Sequence, residues 1–523
     1  MRPNHSSPDA AADQDAVISF LSSAAAYGLK GQVERHQTHG AIVFLAGDKA
    51  YKLKRAVRFP YMDYSTPDLR HRMCLRELEA NRQMAPEIYE AVVPVCRLPS
   101  GEMKLGDVPG AEAIDWLVTM KRFEQSTLLE NMRRAGTLTN DILRLIGQRI
   151  AGFHATAAPN HQYGGHDGIA SVVHENHSIL SRSIGRPFAK ADIEMLRDQA
   201  SHRLQSLRGF LDQRREYGFV RRVHGDLHLN NICLIDGRPV PFDAIEFSEE
   251  FARIDTFYDL AFLLMDLDRH GLVGGANAVL NAYLETSKDY AGLAALPLFL
   301  SCRAAIRAHV RMAMADADAA KLTDAEREAS GFLNRALDYF KAPACRLIAV
   351  GGVSGTGKST LARSLAPVVG ATPGAVILRS DVIRKELWGV EQTTPLPAAA
   401  YTPAFSERVF QTILERAEIA LRAGHSAIAD AVYARQDERE AIGKIAARAG
   451  VAFTGLWLDA PIGTLEKRIE ARKGDASDAT QLVLHRQLEN IDVPTQWSRI
   501  EAGTTPEEVL AQALRAVQPK GTA

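Results

Sequence analysis

The sequence predicts an α+β unit followed by an α/β unit with a parallel sheet. Three observations predict this. Strand-like runs crowd the first 123 residues and helix-period runs fill the stretch to about residue 342. From Cys345 onward, strand-like and helix-like runs alternate, the pattern of a parallel sheet flanked by helices. Between them, Lys341 to Ala344 carries Pro343 and reads as a seam. A chain of 523 residues also exceeds what one hydrophobic core holds.

The elements follow in order. Residues 1–15 are polar and acidic, without a basic region leading into an apolar run; they read as a disordered N-terminus, not a secretory signal. Residues 16–123 hold strand-like runs at 41–45, 50–53, 91–95 and 113–120, with a helical stretch at 66–84 among them. Residues 124–342 carry helix-period runs at 138–156, 192–217, 256–268, 275–286 and 296–315. A short strand-rich insert at 223–247 interrupts these and holds most of the polar chemistry. Residues 343–523 open with an apolar run, Arg346 to Val350, then a glycine-rich turn and a helix from Lys358. Further strands are expected at 375–378, 427–429 and 453–458.

Composition excludes several classes. Net charge is −1 and pI is near 7, so no overall field favours nucleic acid or an anionic membrane. The apolar stretch Leu260 to Leu267 is broken by Asp266 and falls well short of the roughly 20 residues a span requires. The five cysteines form no CxxC pair, which reads as reduced thiols in a cytoplasmic protein.

Gly352-Val353-Ser354-Gly355-Thr356-Gly357-Lys358-Ser359 fits G-x-x-x-x-G-K-[ST] at every position, between an expected strand and an expected helix. Glycines there let successive backbone N–H groups turn inward to cradle phosphates, and the helix adds its positive end. Lys358 neutralises phosphate oxygens, the Ser359 hydroxyl is placed for Mg²⁺, and Thr360 follows in the helix. Ser380-Asp381-Val382-Ile383-Arg384 follows the next strand, setting a carboxylate and a guanidinium at the sheet's carboxyl edge. Asp381 can take a hydroxyl proton and Arg384 can hold an anionic group. Asp430 ends a third strand, where a carboxylate orients Mg²⁺. Arg468 and Arg472, four residues apart, share a helical face and can close over a transferring phosphoryl group.

A second constellation lies in the front half. His224-Gly225-Asp226-Leu227-His228-Leu229-Asn230-Asn231 has the H-x-D-x-x-x-x-N spacing in which the Asp handles the acceptor proton and the Asn binds metal. Residues 232–242 read as a β-hairpin with Asp236-Gly237 at its turn, which returns Asp243 to Asn231 as shared chelation requires.

Residues 346–517 resemble the small P-loop kinases of the AAA_33, gluconate-kinase and zeta-toxin-like group, through the P-loop, Ser380 to Arg384, Ala429-Asp430-Ala431 and a lid at 468–478. The Asp-x-x-Arg arrangement is shared with polynucleotide 5′-kinases, which leaves a nucleic-acid or nucleoside acceptor open. Residues 16–340 resemble the aminoglycoside phosphotransferase and choline-kinase-like group, a bilobal protein-kinase-like fold. This second resemblance implies a phosphate-binding lysine in Tyr51-Lys52-Leu53-Lys54, with Lys54 the better match and Lys52 the alternative. It implies Glu77 as the lysine's partner, with Glu79 the competitor, and residues 113–123 as the strand and hinge that meet adenine. The glycine-rich loop of protein kinases is absent; only His39-Gly40-Ala41 joins the first strands. Together the resemblances imply two ATP- and Mg²⁺-dependent sites acting on hydroxyls of small molecules. A nucleic-acid-directed kinase and an ATP-sensing regulatory module are the competing classes. The first lacks a Lys/Arg stripe, and the second fits poorly with carboxylates retained at both sites.

Overall fold

The computed structural model describes residues 4–5, 8–59, 62–315, 322–341, 343–471 and 474–518. The chain forms two compact units, each discontinuous in sequence: Met1–Asp266 with Phe299–Ala336, and Leu267–Leu298 with Leu337–Ala523.

The front unit begins with a six-stranded antiparallel sheet. Its order is Glu34–Gln37, Ala41–Ala46, Lys49–Lys54, Glu112–Lys121, Tyr89–Arg97 and Met103–Leu105. The helix Pro67–Arg82 packs on it. Thr66 caps that helix by accepting from the Leu69 N–H, and Pro67 suits the first turn, where its missing N–H costs nothing. Arg70 locks the helix to the sheet through two hydrogen bonds to Asp115, at 2.8 and 2.9 Å, in a buried fork. Ile42, Phe44, Leu53, Val95 and Leu117 fill the core behind it. Each such side chain stabilises by about 1.5–3 kcal/mol when fully buried.

The N-terminal expectation is corrected here. A helix, Pro8–Leu21, replaces the disordered stretch expected through residue 15. Val17 and Leu21 join the core, and buried Gln14 donates to Asp115 and to the Lys54 carbonyl. A polar composition concealed these anchors.

The rest of the front unit is helical. The helix-period run at 192–217 is two helices, Lys190–Ser206 and Arg208–Glu216, and Gly165–Ser181 adds another. The expected hairpin forms, with Ile232–Ile235 pairing Arg238–Pro241. Asp236 and Gly237 both take positive φ, 49° and 73°, the signature of a type I′ turn.

The second unit has a five-stranded, wholly parallel sheet in the order Val376–Arg379, Ala427–Asp430, Arg346–Gly351, Ala452–Asp459, Ser498–Glu501. The P-loop strand is central, and Ile348, Val350, Ile428, Leu456 and Leu458 are sealed beneath the helices. The sequence seam at 341–344 precedes the sheet, yet the unit also takes Leu267–Leu298. The reason lies at the edge strand. Asn277 Nδ2 donates to the Ala375 carbonyl at 3.0 Å, and the Ile377 N–H donates to Asn281 Oδ1 at 2.7 Å. Backbone groups that a sheet edge would leave open are thus satisfied by amide side chains.

One helical run, Tyr290–Ala313, is long and apolar enough to cross a membrane (mean hydropathy 1.3), and 72% of its 18-residue window is buried inside the protein. That burial is the mark of a core helix.

Candidate active sites

In the front unit, four separate segments converge. Asn231 Nδ2 donates to Asp226 Oδ2 at 3.1 Å and to the Asp226 carbonyl at 3.0 Å, fixing the loop between them. The hairpin returns Asp243 to this place, where its N–H donates to the Tyr89 hydroxyl and its φ is +64°. Strain of that kind in a non-glycine residue persists only where surroundings enforce it. Lys52 Nζ lies 2.5 Å from Asp243 Oδ1 and 2.7 Å from Glu77 Oε1. Burial opposes the Lys52 charge, but Asp243 and Glu77 outweigh it and hold its pKa well above the usual lysine value.

The two lysines of the strand differ in their partners. Lys52 meets Asp243, whereas Lys54 is sealed between Glu77, at 2.7 Å, and Glu246, which also accepts from Tyr64. Both lysines point to one side of the strand, as period-two geometry requires, and both touch Glu77. They differ in depth: the Lys52 side chain is 13% exposed and Lys54 only 1%. Glu77 is buried between them, while Glu79 faces solvent. Burial pulls the Glu77 carboxyl up, but the two ammonium groups prevail and hold it down at about 2.

Asp259 braces the loop that begins at His224. The Gly225 N–H donates to Asp259 Oδ1 at 2.7 Å, the His224 N–H to Oδ2 at 3.3 Å, and His154 Nε2 lies 3.1 Å from Oδ2. Gly225, at φ +81°, must be glycine, since a Cβ would come within 2.9 Å of the Phe251 carbonyl. Asp226 stays open to solvent at its tip, with His228 Nε2 3.4 Å away. Burial raises its carboxyl, yet His228 and His224 dominate and hold it well below the usual carboxylate range.

In the second unit, Gly352, Gly355 and Gly357 take positive φ and fold the loop over the sheet's carboxyl edge. The Ser359 hydroxyl donates to Asp430 Oδ2 at 2.5 Å, and Lys358 Nζ donates back to the Val353 carbonyl at 3.0 Å. Ser354 and Thr356 are buried in the loop, while Thr360 is exposed on the helix that follows. Asp381 lies in the first turn of the helix Ser380–Trp388. Burial, and then Asp430, push its carboxyl up, against Arg379 and Lys358.

Arg384 departs from its expected pose. It donates to the Ala400 carbonyl at 2.6 Å and to Ser406 Oγ at 3.2 Å, and it stacks over Tyr401. It therefore fastens the segment at 400–406 as well as lending charge beside Asp381. Arg468 lies half-buried on the helix Ile462–Glu470; Arg472 lies outside the described residues.

Several participants escaped the sequence reading. Arg379 bridges Asp430, at 3.6 Å, and Asp475, at 3.1 Å, and its place at the end of a parallel strand was the signal available. Asp478 gathers Lys385, Tyr401 and the Leu396 N–H, and nothing in its spacing announces that.

The second unit carries its P-loop between the central parallel strand Arg346–Gly351 and the helix Lys358–Leu365. Residues 347–494 match the AAA_33 family model, described as an AAA domain. Over 458 residues the chain is 30% identical to the uncharacterized protein Rv2004c of Mycobacterium tuberculosis and to Mb2027c of Mycobacterium bovis, covering 86% of this chain and 88% of each relative. The chain belongs to the same family as these two mycobacterial proteins. Among solved structures it is similar to a choline/ethanolamine kinase family protein from Mesorhizobium loti, with 13% identity over 63% of this chain and 98% of that one (TM-score 0.39). It is also similar to a gluconokinase from Sinorhizobium meliloti, with 22% identity over 33% of this chain and 91% of that one (TM-score 0.25).

Proposed function

We propose that the chain is a bifunctional phosphotransferase, each unit moving the γ-phosphoryl group of ATP to a hydroxyl of a small molecule. The observation that carries this reading is that each unit ties a candidate proton acceptor to its own cation-handling set. Asp226 is held by Asn231, whose carbonyl accepts the Phe242 N–H next to Asp243 and its partner Lys52, and Asp381 feels Lys358 and the Asp430 of the Ser359–Asp430 pair.

In either site, the acceptor oxygen forms a bond to the γ-phosphorus as the bond to the β–γ bridging oxygen breaks. ADP leaves with that electron pair, and the hydroxyl proton passes to the carboxylate. Mg²⁺ fits the donor chemistry of both sites. Asn231 and Asp243 in one, and Ser359 with Asp430 in the other, offer hard oxygens, and no cluster of three His, Cys, Asp or Glu suited to a metal such as zinc occurs among the described residues. Bound there, Mg²⁺ supplies neutralising charge to the phosphates. In the front unit three carboxylates (Asp243, Glu77, Glu246) face two ammonium groups, leaving negative charge for a cation to balance.

For the P-loop unit the acceptor is an anionic hydroxyl compound such as a sugar acid, because Arg379 and Arg384 flank Asp381 electrostatically. No membrane or nucleic-acid partner is invoked. A cytoplasmic setting suits five free thiols, four of them buried.

The test is a metabolite screen with γ-labelled ATP on wild type, Asp226→Ala and Lys358→Ala. Label should enter two classes of acceptor, with excess EDTA stopping both. Activity that survives EDTA, or no labelled product from folded wild type, sinks the reading.

A further inference from the structure

The P-loop is not bare. Gln487, on the helix Gln481–Asn490, accepts the Ser354 N–H on its Oε1 at 2.8 Å. This is a loop amide of the kind that turns toward phosphate, and here a side-chain carbonyl satisfies it. The contact is held from behind. Leu484 of the same helix packs with Val353 of the loop and with Leu465 of the helix Ile462–Glu470. Gly355 lies so close to that second helix that a Cβ would meet the Leu465 carbonyl at 2.9 Å. Two helices thus rest on the outer side of the P-loop, and residues 471–480 join them. The joining segment carries Asp475, on Arg379, and Asp478, on Lys385 and Tyr401.

We infer that Gln487 is a positioning residue of the P-loop site that makes it discriminate ATP from ADP. The inference rests on the phosphotransferase reading only for what the discrimination serves. A carboxamide carries an acceptor and a donor on one sp² carbon. With Ser354 as its partner, the oxygen faces the loop. When a phosphate oxygen competes for that N–H, a half-turn of the carboxamide gives up the acceptor and presents its NH₂ to the anion. A carboxylate at this position accepts but cannot donate, and it repels phosphate. An alanine does neither.

The experiment measures ATP and ADP affinity by titration of the full chain in Mg²⁺, in a Lys52→Ala background so that the front site contributes little. It compares Gln487, Gln487→Glu and Gln487→Ala. The isosteric Gln487→Glu should weaken ATP about 10- to 100-fold, the size of one charged hydrogen bond lost, while weakening ADP far less. Gln487→Ala should weaken ATP about tenfold and leave ADP within about threefold, or bind it slightly tighter because its competitor is gone. A merely structural role would lower both affinities together, and an unchanged ATP-to-ADP ratio in both variants overturns the inference. No acceptor is needed for this reading, so failure of wild type to transfer phosphate would count against the proposed function alone.

Discussion

Asp226 in the front unit lies among imidazoles, with His228 Nε2 3.4 Å from it and His224 beneath the same loop. Asp381 in the P-loop unit feels a second carboxylate, Asp430, as well as Arg379 and Lys358. Burial opposes ionisation of both: around Asp226 the histidines overcome it and hold the carboxyl down, whereas around Asp381 burial, joined by Asp430, prevails over Arg379 and Lys358 and pushes the carboxyl up. Of the two proposed proton acceptors, one is thus a weak base kept ionised and the other a stronger one that protonates more readily. The contrast teaches that basicity is set by the balance between burial and the charges that face the carboxylate, and that this balance falls on opposite sides at the two positions.

The sharpest way to break the comparison is to remove one member of each set. Asp226→Ala should lower front-unit turnover by about 10³-fold or more and spare the P-loop activity, and Lys358→Ala should do the reverse. Steady-state rates on each acceptor check this, and a single substitution that silences both would end the claim of independent sites.

The two lysines should then separate by kind of effect. Lys52→Ala should reduce front-unit kcat/KM for ATP by about 10²- to 10³-fold with little loss of stability. Lys54→Met strands buried Glu246 and part of Glu77, and should cost about 3–5 kcal/mol in urea unfolding. The reverse pattern would restore Lys54 to the phosphate.

Arg384→Ala should raise the P-loop acceptor KM about tenfold, since its guanidinium lends charge to the site while its hydrogen bonds hold residues 400–406. An unchanged KM would leave it only a structural tie.

The mildest contrast is in pH. A base works only when ionised, and a raised pKa means that it is lost at a higher pH as acid is added. P-loop activity should therefore decline first on acidification, and front-unit activity should persist lower, because Asp226 stays ionised. Coincident acid limbs in the two pH–rate profiles would show that the charges around Asp381 do not govern it.

Much of this was legible in the sequence where chemistry demands fixed spacing. The P-loop, Asn231 five residues after Asp226, and the Asp236-Gly237 turn that carries Asp243 home are all of this kind. Lys52 and Lys54 were not separable, because a strand's period of two puts both on one face and only tertiary depth distinguishes them. Gln14, Glu246 and Gln487 were invisible for a related reason. Each acts through long-range hydrogen bonds to partners between 40 and 192 residues away, and local pattern carries no trace of them.

The amide side chains of Asn277 and Asn281 have a consequence for how this protein can be divided. The chain passes between the units at residues 266/267, 298/299 and 336/337, so the two are interlaced in sequence. A gene cut at the seam, releasing a fragment from Cys345, would strip the Ala375 carbonyl and the Ile377 N–H of their partners and uncover a strand edge ready to pair with another copy. The fragment would carry an intact Walker motif and still tend to aggregate. Two units joined this way are inherited as a single piece, because no one recombination point yields two whole halves.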